Sequence, residues 1–156
     1  MSKTVDWKNT RLVWLIGFWK IPLIWAVRPL VLQLDPQRCE LKIRLRRRTR
    51  NHFGSMYLGA LAVGADLAGG LIALHLIRQD KSGIQLIFKD FHADFLKRPD
   101  GDVHFVCEDG PAISAALKRV RETGERETVP VRVVATVPEK YGLEPVASFQ
   151  LGLSMK

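Results

Sequence analysis

The stretch from residue 56 to residue 72 limits most strongly what the chain can fold into. Nearly every residue in it is Ala, Leu, Val, Gly, Met or Tyr, and Asp66 is its one charged residue. A helix that is apolar on all sides lies inside its own protein or in a membrane. Its small residues would let neighbouring backbone come close: Gly59, Ala60, Gly64 and Ala68. We therefore expect a core helix, whose carboxylate needs a hydrogen bond, an ion pair or a proton.

Polar and turn-forming residues mark the expected ends of this helix. Asn51 and Gly54 predict a turn before it, and Ser55 is the expected N-cap. The helix is expected to end near the glycines at 69–70, or about a turn later near residues 75–76.

Periodicity predicts strands on both sides of the helix. Between residues 39 and 49, Leu and Ile alternate with Lys and Arg, which indicates a half-buried strand. Further strands are expected at 84–97, 102–108, 128–137 and 146–155, with a surface helix from Gly110-Pro111 to Gly124. Short turns between the later strands favour antiparallel pairing. The predicted fold class is α+β, an antiparallel β-sheet wrapped around a long central helix.

Residues 1–35 are predicted to form an N-terminal extension on a domain of residues 36–156. Its four tryptophans are Trp7, Trp14, Trp19 and Trp25. The apolar run from 12 to 34 is long enough to span a bilayer, but two charges and two prolines interrupt it. We expect two short helices packed on the domain. Attachment to a membrane surface through exposed tryptophans, and a membrane span, are the alternatives.

The charge of the chain indicates which class of partner it binds, and its cysteine content indicates the cellular compartment. The formal net charge is +8, and six basic residues lie between Lys42 and Arg50, which favours an anionic partner or else a solvated strand face. No nucleic-acid partner is expected, because aromatic residues are not interleaved with these arginines. Cys39 and Cys107 show no pairing or metal-binding spacing, so we expect buried thiols, a cytoplasmic protein and no metal.

Four spaced residues resemble a motif of the hot-dog fold superfamily, in particular of phenylacetate-pathway-type (PaaI-like) acyl-CoA thioesterases. In that motif an Asn is followed at fixed spacings by a Gly, a His-Gly-Gly and an Asp. Asn51, Gly54, Gly59 and Asp66 stand at those spacings. Residues 93–102 resemble a second family pattern, Asp-Phe-Leu-Arg-Pro followed by Gly-Asp. The chain is most similar to an uncharacterised, DUF4442-like branch.

The resemblance implies an acyl-CoA thioesterase with its site at the interface of a homodimer, a tetramer being the alternative. Asp66 is then the general base or nucleophile, Asn51 orients the water or the carbonyl, and Gly59 belongs to the oxyanion hole. The implied pocket-lining residues are Phe53, Met56, Tyr57 and Leu58, and the implied phosphate-binding residues are Arg48, Arg50, Lys97 and Arg98. The substrate is an acyl-CoA or acyl-carrier-protein thioester, and no cofactor is implied beyond coenzyme A as part of the substrate.

Two features of the motif leave its function open. Tyr57 and Leu58 stand where the family has His and the first Gly. Asp66 lies about 10 Å along the helix from Gly59. At this distance the two residues of one helix cannot both act on the same thioester. The resemblance therefore implies a site to which two subunits contribute. The hypotheses are a thioesterase, a hot-dog protein that binds acyl groups or acyl-CoA without turnover, and a basic module associated with the membrane surface.

Overall fold

The computed structural model describes residues 3–156, which form five helices and six strands. In chain order these are α1 (Trp7–Trp19), α2 (Pro22–Val27), β1 (Leu30–Leu34), β2 (Cys39–Ile43), α3 (Leu58–Asp80), β3 (Leu86–Phe95), β4 (Val103–Cys107), α4 (Gly110–Thr123), β5 (Glu127–Thr136), α5 (Pro138–Tyr141) and β6 (Pro145–Met155). Residues 1 and 2 of the predicted extension lie outside the described part.

The strands form one antiparallel sheet in the order β1-β2-β4-β5-β6-β3. The α3 helix lies across this sheet and contacts β2, β4, β5 and β6, while α4 packs on α3 and β5. Inward-facing residues alternate along β5, where Val129, Val131 and Val133 are buried and the residues between them are exposed. The predicted α+β arrangement, an antiparallel sheet around a long central helix, is confirmed.

The small residues of α3 allow the sheet to approach the helix closely. A Cβ added to Gly64 would lie 2.3 Å from Cζ of Phe105, so a phenyl ring of β4 occupies the space of the missing side chain. By length and hydropathy α3 could also cross a membrane, but 72% of its most apolar window is buried inside the protein. Its apolar character is therefore explained by burial in the core.

Both predicted ends of the core helix were wrong. Tyr57, in extended backbone, is the N-cap, and its N–H donates to the carbonyl of Thr49 at 2.8 Å. Ser55 instead accepts a hydrogen bond from Nε of Arg98 at 2.8 Å. The helix runs past residues 69–70 and 75–76 to Asp80, because the two glycines pack beneath side chains of the sheet and do not form a cap.

β2 is shorter than the strand predicted at 39–49, since it ends at Ile43. The side chain of Asp102 accepts a hydrogen bond from the N–H of Leu45 at 2.9 Å. The hydroxyl of Thr49 donates to the carbonyl of Arg44 at 2.7 Å and accepts from the N–H of Arg46 at 2.9 Å. These bonds turn the chain out of the sheet, so the arginines at 44–48 lie on a loop.

Two hydrogen bonds, one buried and one partly buried, fix α1 to β1 and to the residue that precedes it. Thr10 Oγ1 accepts from the N–H of Val31 at 2.9 Å, and Trp14 Nε1 donates to the carbonyl of Pro29 at 2.7 Å. The two expected helices are present, but residues 30–34 form the edge strand β1, which pairs with β2 and was not predicted. The division of the chain into 1–35 and 36–156 stays a prediction.

Cys39 and Cys107 are directly opposite each other across β2 and β4. Both are buried and, within the described residues, free. Burial raises the pKa of both thiols, that of Cys107 to about 11. Neither is therefore a reactive thiolate at neutral pH.

Candidate active site

Asn51 organises the loop that leads into α3. Its Oδ1 accepts hydrogen bonds from the N–H groups of Phe53 at 2.9 Å and Ser55 at 3.1 Å. Its own N–H donates to the carbonyl of Ser55 at 2.7 Å. Within residues 3–156 the amide NH₂ of Asn51 makes no hydrogen bond, so this donor is available to a ligand.

The start of α3 presents backbone donors beside this loop. The cap residue Tyr57 has its own N–H bound to Thr49, and its side chain makes no capping bond. The first turn of a helix leaves N–H groups without intrahelical partners and carries the positive end of the helix dipole. Gly59 lies in this turn, so its N–H belongs to a group of donors that can bind an anionic oxygen.

A pocket of about 680 Å³ opens between the loop, the first turn of α3 and the end of β3. We call it the Asn51 pocket. Six of the predicted site residues line it: Asn51, Phe53, Met56, Leu58, Lys97 and Arg98. Tyr57 and Gly59 lie next to it at the helix start, and Tyr57 is 57% exposed. These residues, which were predicted from the sequence to form one site, therefore lie close together in the structure.

The predicted phosphate-binding cations do not form one cluster. Arg98 donates to Ser55 and to the carbonyl of Phe53, and Lys97 pairs with Glu144 at 2.8 Å, so both have partners within the protein. Arg48 lines a different pocket, beside α1, and Arg50 is exposed on the loop. A role of any of the four in binding substrate stays a prediction.

Asp66 lies two turns further along α3 and faces another pocket, of about 880 Å³, which we call the Asp66 pocket. Most of its walls are apolar residues of the α1–α2 hairpin, of α3 and of the start of β3, including Ile21, Leu67 and Phe88. Asp66 is half-buried and, among the described residues, has neither an ion pair nor a side-chain hydrogen bond. This burial raises the pKa of its carboxyl group.

The two pockets are at opposite ends of β3. The Asn51 pocket includes Phe95 at the end of this strand, whereas the Asp66 pocket includes Leu86 at its start. β3 pairs with β6 on one side and is one of the two edge strands of the sheet formed by residues 3–156, the other being β1. Three of its large apolar side chains are exposed: Ile87, Phe91 and Phe95. Within one chain, Asn51 and Asp66 therefore do not share a pocket.

Comparison with known proteins assigns the chain to a family. Residues 10–148 match a domain of unknown function, DUF4442. The chain belongs to the DUF4442 family. No curated protein matches the sequence of this DUF4442 protein.

Several solved structures share the fold of the DUF4442 domain. A Pseudomonas aeruginosa protein of unknown function, named a probable thioesterase, is 23% identical with a TM-score of 0.75, over 94% of this chain and 95% of that one. Thioesterase HI1161 of Haemophilus influenzae is 15% identical, with a TM-score of 0.66 over 99% and 92%. Zebra fish thioesterase superfamily member 2 is 14% identical, with a TM-score of 0.69 over 99% of both chains. The DUF4442 domain has the hot-dog fold; the closer likeness to the PaaI-like type stays a prediction.

Sequence reasoning missed several residues that line the pockets of the DUF4442 domain. Ser55, Leu61, Phe95, Leu96 and Pro99 also line the Asn51 pocket. Leu61 could have been found from its helical spacing to Leu58, and 95–96 from their position next to the predicted 97–98. Lys20 and Arg78 line the Asp66 pocket, and no local signal connects them to Asp66.

Proposed function

We propose that this DUF4442 protein hydrolyses an acyl thioester at a site shared by the two subunits of a homodimer. The observation that carries the proposal is the placement of the Asn51 and Asp66 pockets at opposite ends of one outer strand. The names of two structures with the same fold, both thioesterases, support the reaction class.

Pairing of two β3 strands would make one site from the two pockets. In an antiparallel pair related by a two-fold axis, the end of a strand lies beside the start of its copy. The Asn51 pocket of one subunit would then meet the Asp66 pocket of the other. Such pairing would also cover the apolar residues of an exposed strand edge, which are otherwise a risk for aggregation.

The shared site contains the groups that thioester hydrolysis needs. The carboxylate of Asp66 of the partner subunit takes a proton from water as the water oxygen attacks the thioester carbonyl carbon. The N–H groups at the start of α3 and the amide of Asn51 bind the oxyanion that forms. When the intermediate collapses, the carbon–sulfur bond breaks, the thiolate leaves and receives the proton, and the acid is released.

The Asp66 pocket is the better of the two for the acyl group. Its walls are mainly Ile, Leu, Val and Phe, and its volume of about 880 Å³ is within the usual range for ligand pockets. The carrier, coenzyme A or an acyl carrier protein, would leave past the Asn51 pocket. Of the predicted phosphate-binding residues, Lys97 and Arg98 line that route. The proposed hydrolysis needs no cofactor, because its reactants are the thioester and water; coenzyme A, where it is the carrier, is part of the substrate.

A second candidate function is binding of acyl groups or acyl-CoA without turnover. One observation favours it: the ring of Tyr57 lies against Gly59, at the donors proposed for the oxyanion hole. The family motif has His and Gly where this chain has Tyr57 and Leu58. Both candidates use the same pockets and differ in whether the thioester bond breaks.

Thiol release from short-chain, long-chain and aromatic acyl-CoAs tests the proposal. Asp66→Asn should abolish hydrolysis, whereas the matched control Asp80→Asn, at the end of the same helix, should retain it. If Asp66→Asn hydrolyses as fast as the wild type, Asp66 is not the base. If the wild type hydrolyses none of the panel, the binding function is favoured, and native mass spectrometry would identify the retained ligand.

Mixing two inactive variants tests whether the site is shared. Asn51→Ala and Asp66→Asn proteins are unfolded together and refolded at equal concentration. Random pairing makes half of the dimers mixed, each with one intact site, so about a quarter of the wild-type activity should return. A site formed within one chain would show no recovery.

A further inference from the structure

The positive charge of the chain is concentrated in two segments. Residues 7–34 and 41–51 together contain ten of the 24 basic residues and none of the 16 acidic ones. The remainder has 14 basic and 16 acidic residues, so its formal net charge is −2, against +8 for the whole chain. A charge distribution of this kind attracts an anionic partner to one side of a protein.

The two segments meet at a pocket of about 840 Å³ beside α1, which we call the arginine pocket. Five guanidinium groups line it, those of Arg28, Arg44, Arg46, Arg47 and Arg48, together with two tryptophan rings and no carboxylate. Across residues 3–156 the arginines that form ion pairs are Arg38, Arg119 and Arg121, none of them in this pocket. Its charge is therefore not neutralised by the described part of the chain.

The end of the α1–α2 hairpin exposes a group of large apolar side chains. They are Leu15, Phe18, Trp19, Ile21 and Leu23. Trp19 is 74% exposed, and the adjacent Lys20 is also exposed. A helix surface that combines Trp, Phe and Leu with basic residues is typical of proteins that lie in the membrane interface.

Aromatic contacts connect the hairpin end to the arginine pocket. Ring centroids are 6.3 Å apart between Trp7 and Trp14, 6.2 Å between Trp14 and Trp25, and 5.3 Å between Trp25 and Phe18. The guanidinium carbon of Arg28 lies 3.4 Å from the centroid of Trp25. The cations and the exposed apolar side chains therefore belong to one continuous surface.

We propose that this surface, the arginine pocket together with the exposed hairpin end, binds an anionic phospholipid bilayer. Guanidinium groups bind lipid phosphates through paired hydrogen bonds, while the tryptophan and leucine side chains enter the interfacial layer. Charge complementarity selects this occupant over a second copy of the chain, which would bring the same excess of arginines to the contact. The contact would hold a cytoplasmic protein at the inner surface of its membrane, and it does not depend on the proposed hydrolysis.

Co-sedimentation of the full chain with vesicles tests this inference. The protein should bind phosphatidylcholine vesicles that contain phosphatidylglycerol, bind phosphatidylcholine vesicles weakly, and dissociate as salt is added. Arg44→Gln with Arg47→Gln should weaken binding about 25-fold, since each basic residue near an anionic surface contributes roughly a factor of five. Trp19→Ser should weaken it about tenfold by removing a large apolar side chain from the interface.

Matched substitutions elsewhere on the surface serve as controls. Lys81→Gln with Arg132→Gln removes the same charge, and Leu143→Ser replaces an apolar side chain that is 91% exposed. Both should bind vesicles like the wild type, and circular dichroism should show every variant folded. Equal binding to both kinds of vesicle, no binding to either, or equal losses in the controls would overturn the inference. So would a change of oligomeric state in Trp19→Ser, which would identify the hairpin end as a contact between subunits.

Discussion

The ring of Tyr57 lies directly against Gly59, so that a Cβ built on Gly59 would be 2.8 Å from Cε1 of the tyrosine. The aromatic side chain two residues earlier thus occupies the space that a side chain at position 59 would take. Since Tyr57 is exposed, its ring can move away at small energetic cost. This contact places a phenol group beside the helix N–H groups that we propose as the oxyanion hole.

Gly59→Ala should reduce hydrolysis strongly while leaving the fold intact. The added methyl group displaces the ring of Tyr57 into the space beside the helix start, whereas stability should change by no more than about 1 kcal/mol. Thiol release and thermal unfolding measure the two effects. The double variant with Tyr57→Ala separates the causes: recovered activity would assign the loss to the ring, and continued loss would assign it to the methyl group itself.

Gly64→Ala should show the opposite pattern, a loss of stability. The methyl group would lie 2.3 Å from a ring atom of Phe105, which is fully buried and cannot move aside. Overpacking of this kind costs about 1–3 kcal/mol. Urea unfolding measures the loss, and Phe105→Leu in the same chain should recover part of it. An unchanged midpoint would contradict the close contact between α3 and β4.

The raised pKa of Asp66 predicts how activity depends on pH. If the ionised carboxylate is the base, kcat/KM should increase with pH and level off above a pKa higher than the ordinary 3.8 of an aspartate. The profile is measured with an acyl-CoA that the wild type hydrolyses. A rate that is flat through the acidic range would contradict the assignment.

The same shift predicts a dependence of stability on pH. The folded protein keeps the Asp66 proton to higher pH than the unfolded chain, so the free energy of unfolding falls as pH rises from 3.8 to the raised pKa. Above the raised pKa, the contribution of Asp66 to the free energy of unfolding no longer changes with pH. Urea unfolding of the wild type and Asp66→Asn across this range isolates the effect, because other groups cancel in the difference. A difference that does not vary with pH would argue against burial of the carboxyl group.

Phe91→Lys should separate the proposed dimer. Phe91 lies near the middle of β3, where two antiparallel copies would approach each other, and it is exposed in the single chain. Two added positive charges at this point repel each other across the pair. Light scattering after gel filtration should give a dimer for the wild type and for the control Leu143→Lys, and a monomer for Phe91→Lys. Hydrolysis should be lost together with the dimer, and a monomeric wild type would contradict the shared site.

Local periodicity predicted the core helix and the strands that follow it. The strand β1 was missed because residues 30–34 continue the apolar run of the helical extension, which offers no break in composition. The end of β2 was missed because the alternation of apolar and basic residues continues past Ile43 to Arg46. What ends the strand is a hydrogen bond from Leu45 to Asp102, a residue 57 positions away. Such distant contacts leave no trace in a local pattern.

In the candidate site, too, contacts between residues close in sequence could be predicted and contacts between distant parts of the chain could not. Asn51, Met56 and Leu58 come together because they are close in sequence and lie on a loop and the helix that follows it. The surroundings of Asp66 come from three separate parts of the chain, including the α1–α2 hairpin, so they could not be read from the spacing of motif residues.

The contact between Gly64 and Phe105 has a consequence for how this site could change. Gly64 lies between Gly59 and Asp66, so the phenyl ring that fills its missing side chain prevents α3 from sliding along the sheet. The spacing between the two proposed catalytic positions is then a fixed length, set by the rise of the helix. The distance between the groups that meet in the shared site would then depend on how the two subunits are placed relative to each other, so substitutions in β3 beyond Phe88 would alter it without changing the lining of the Asp66 pocket.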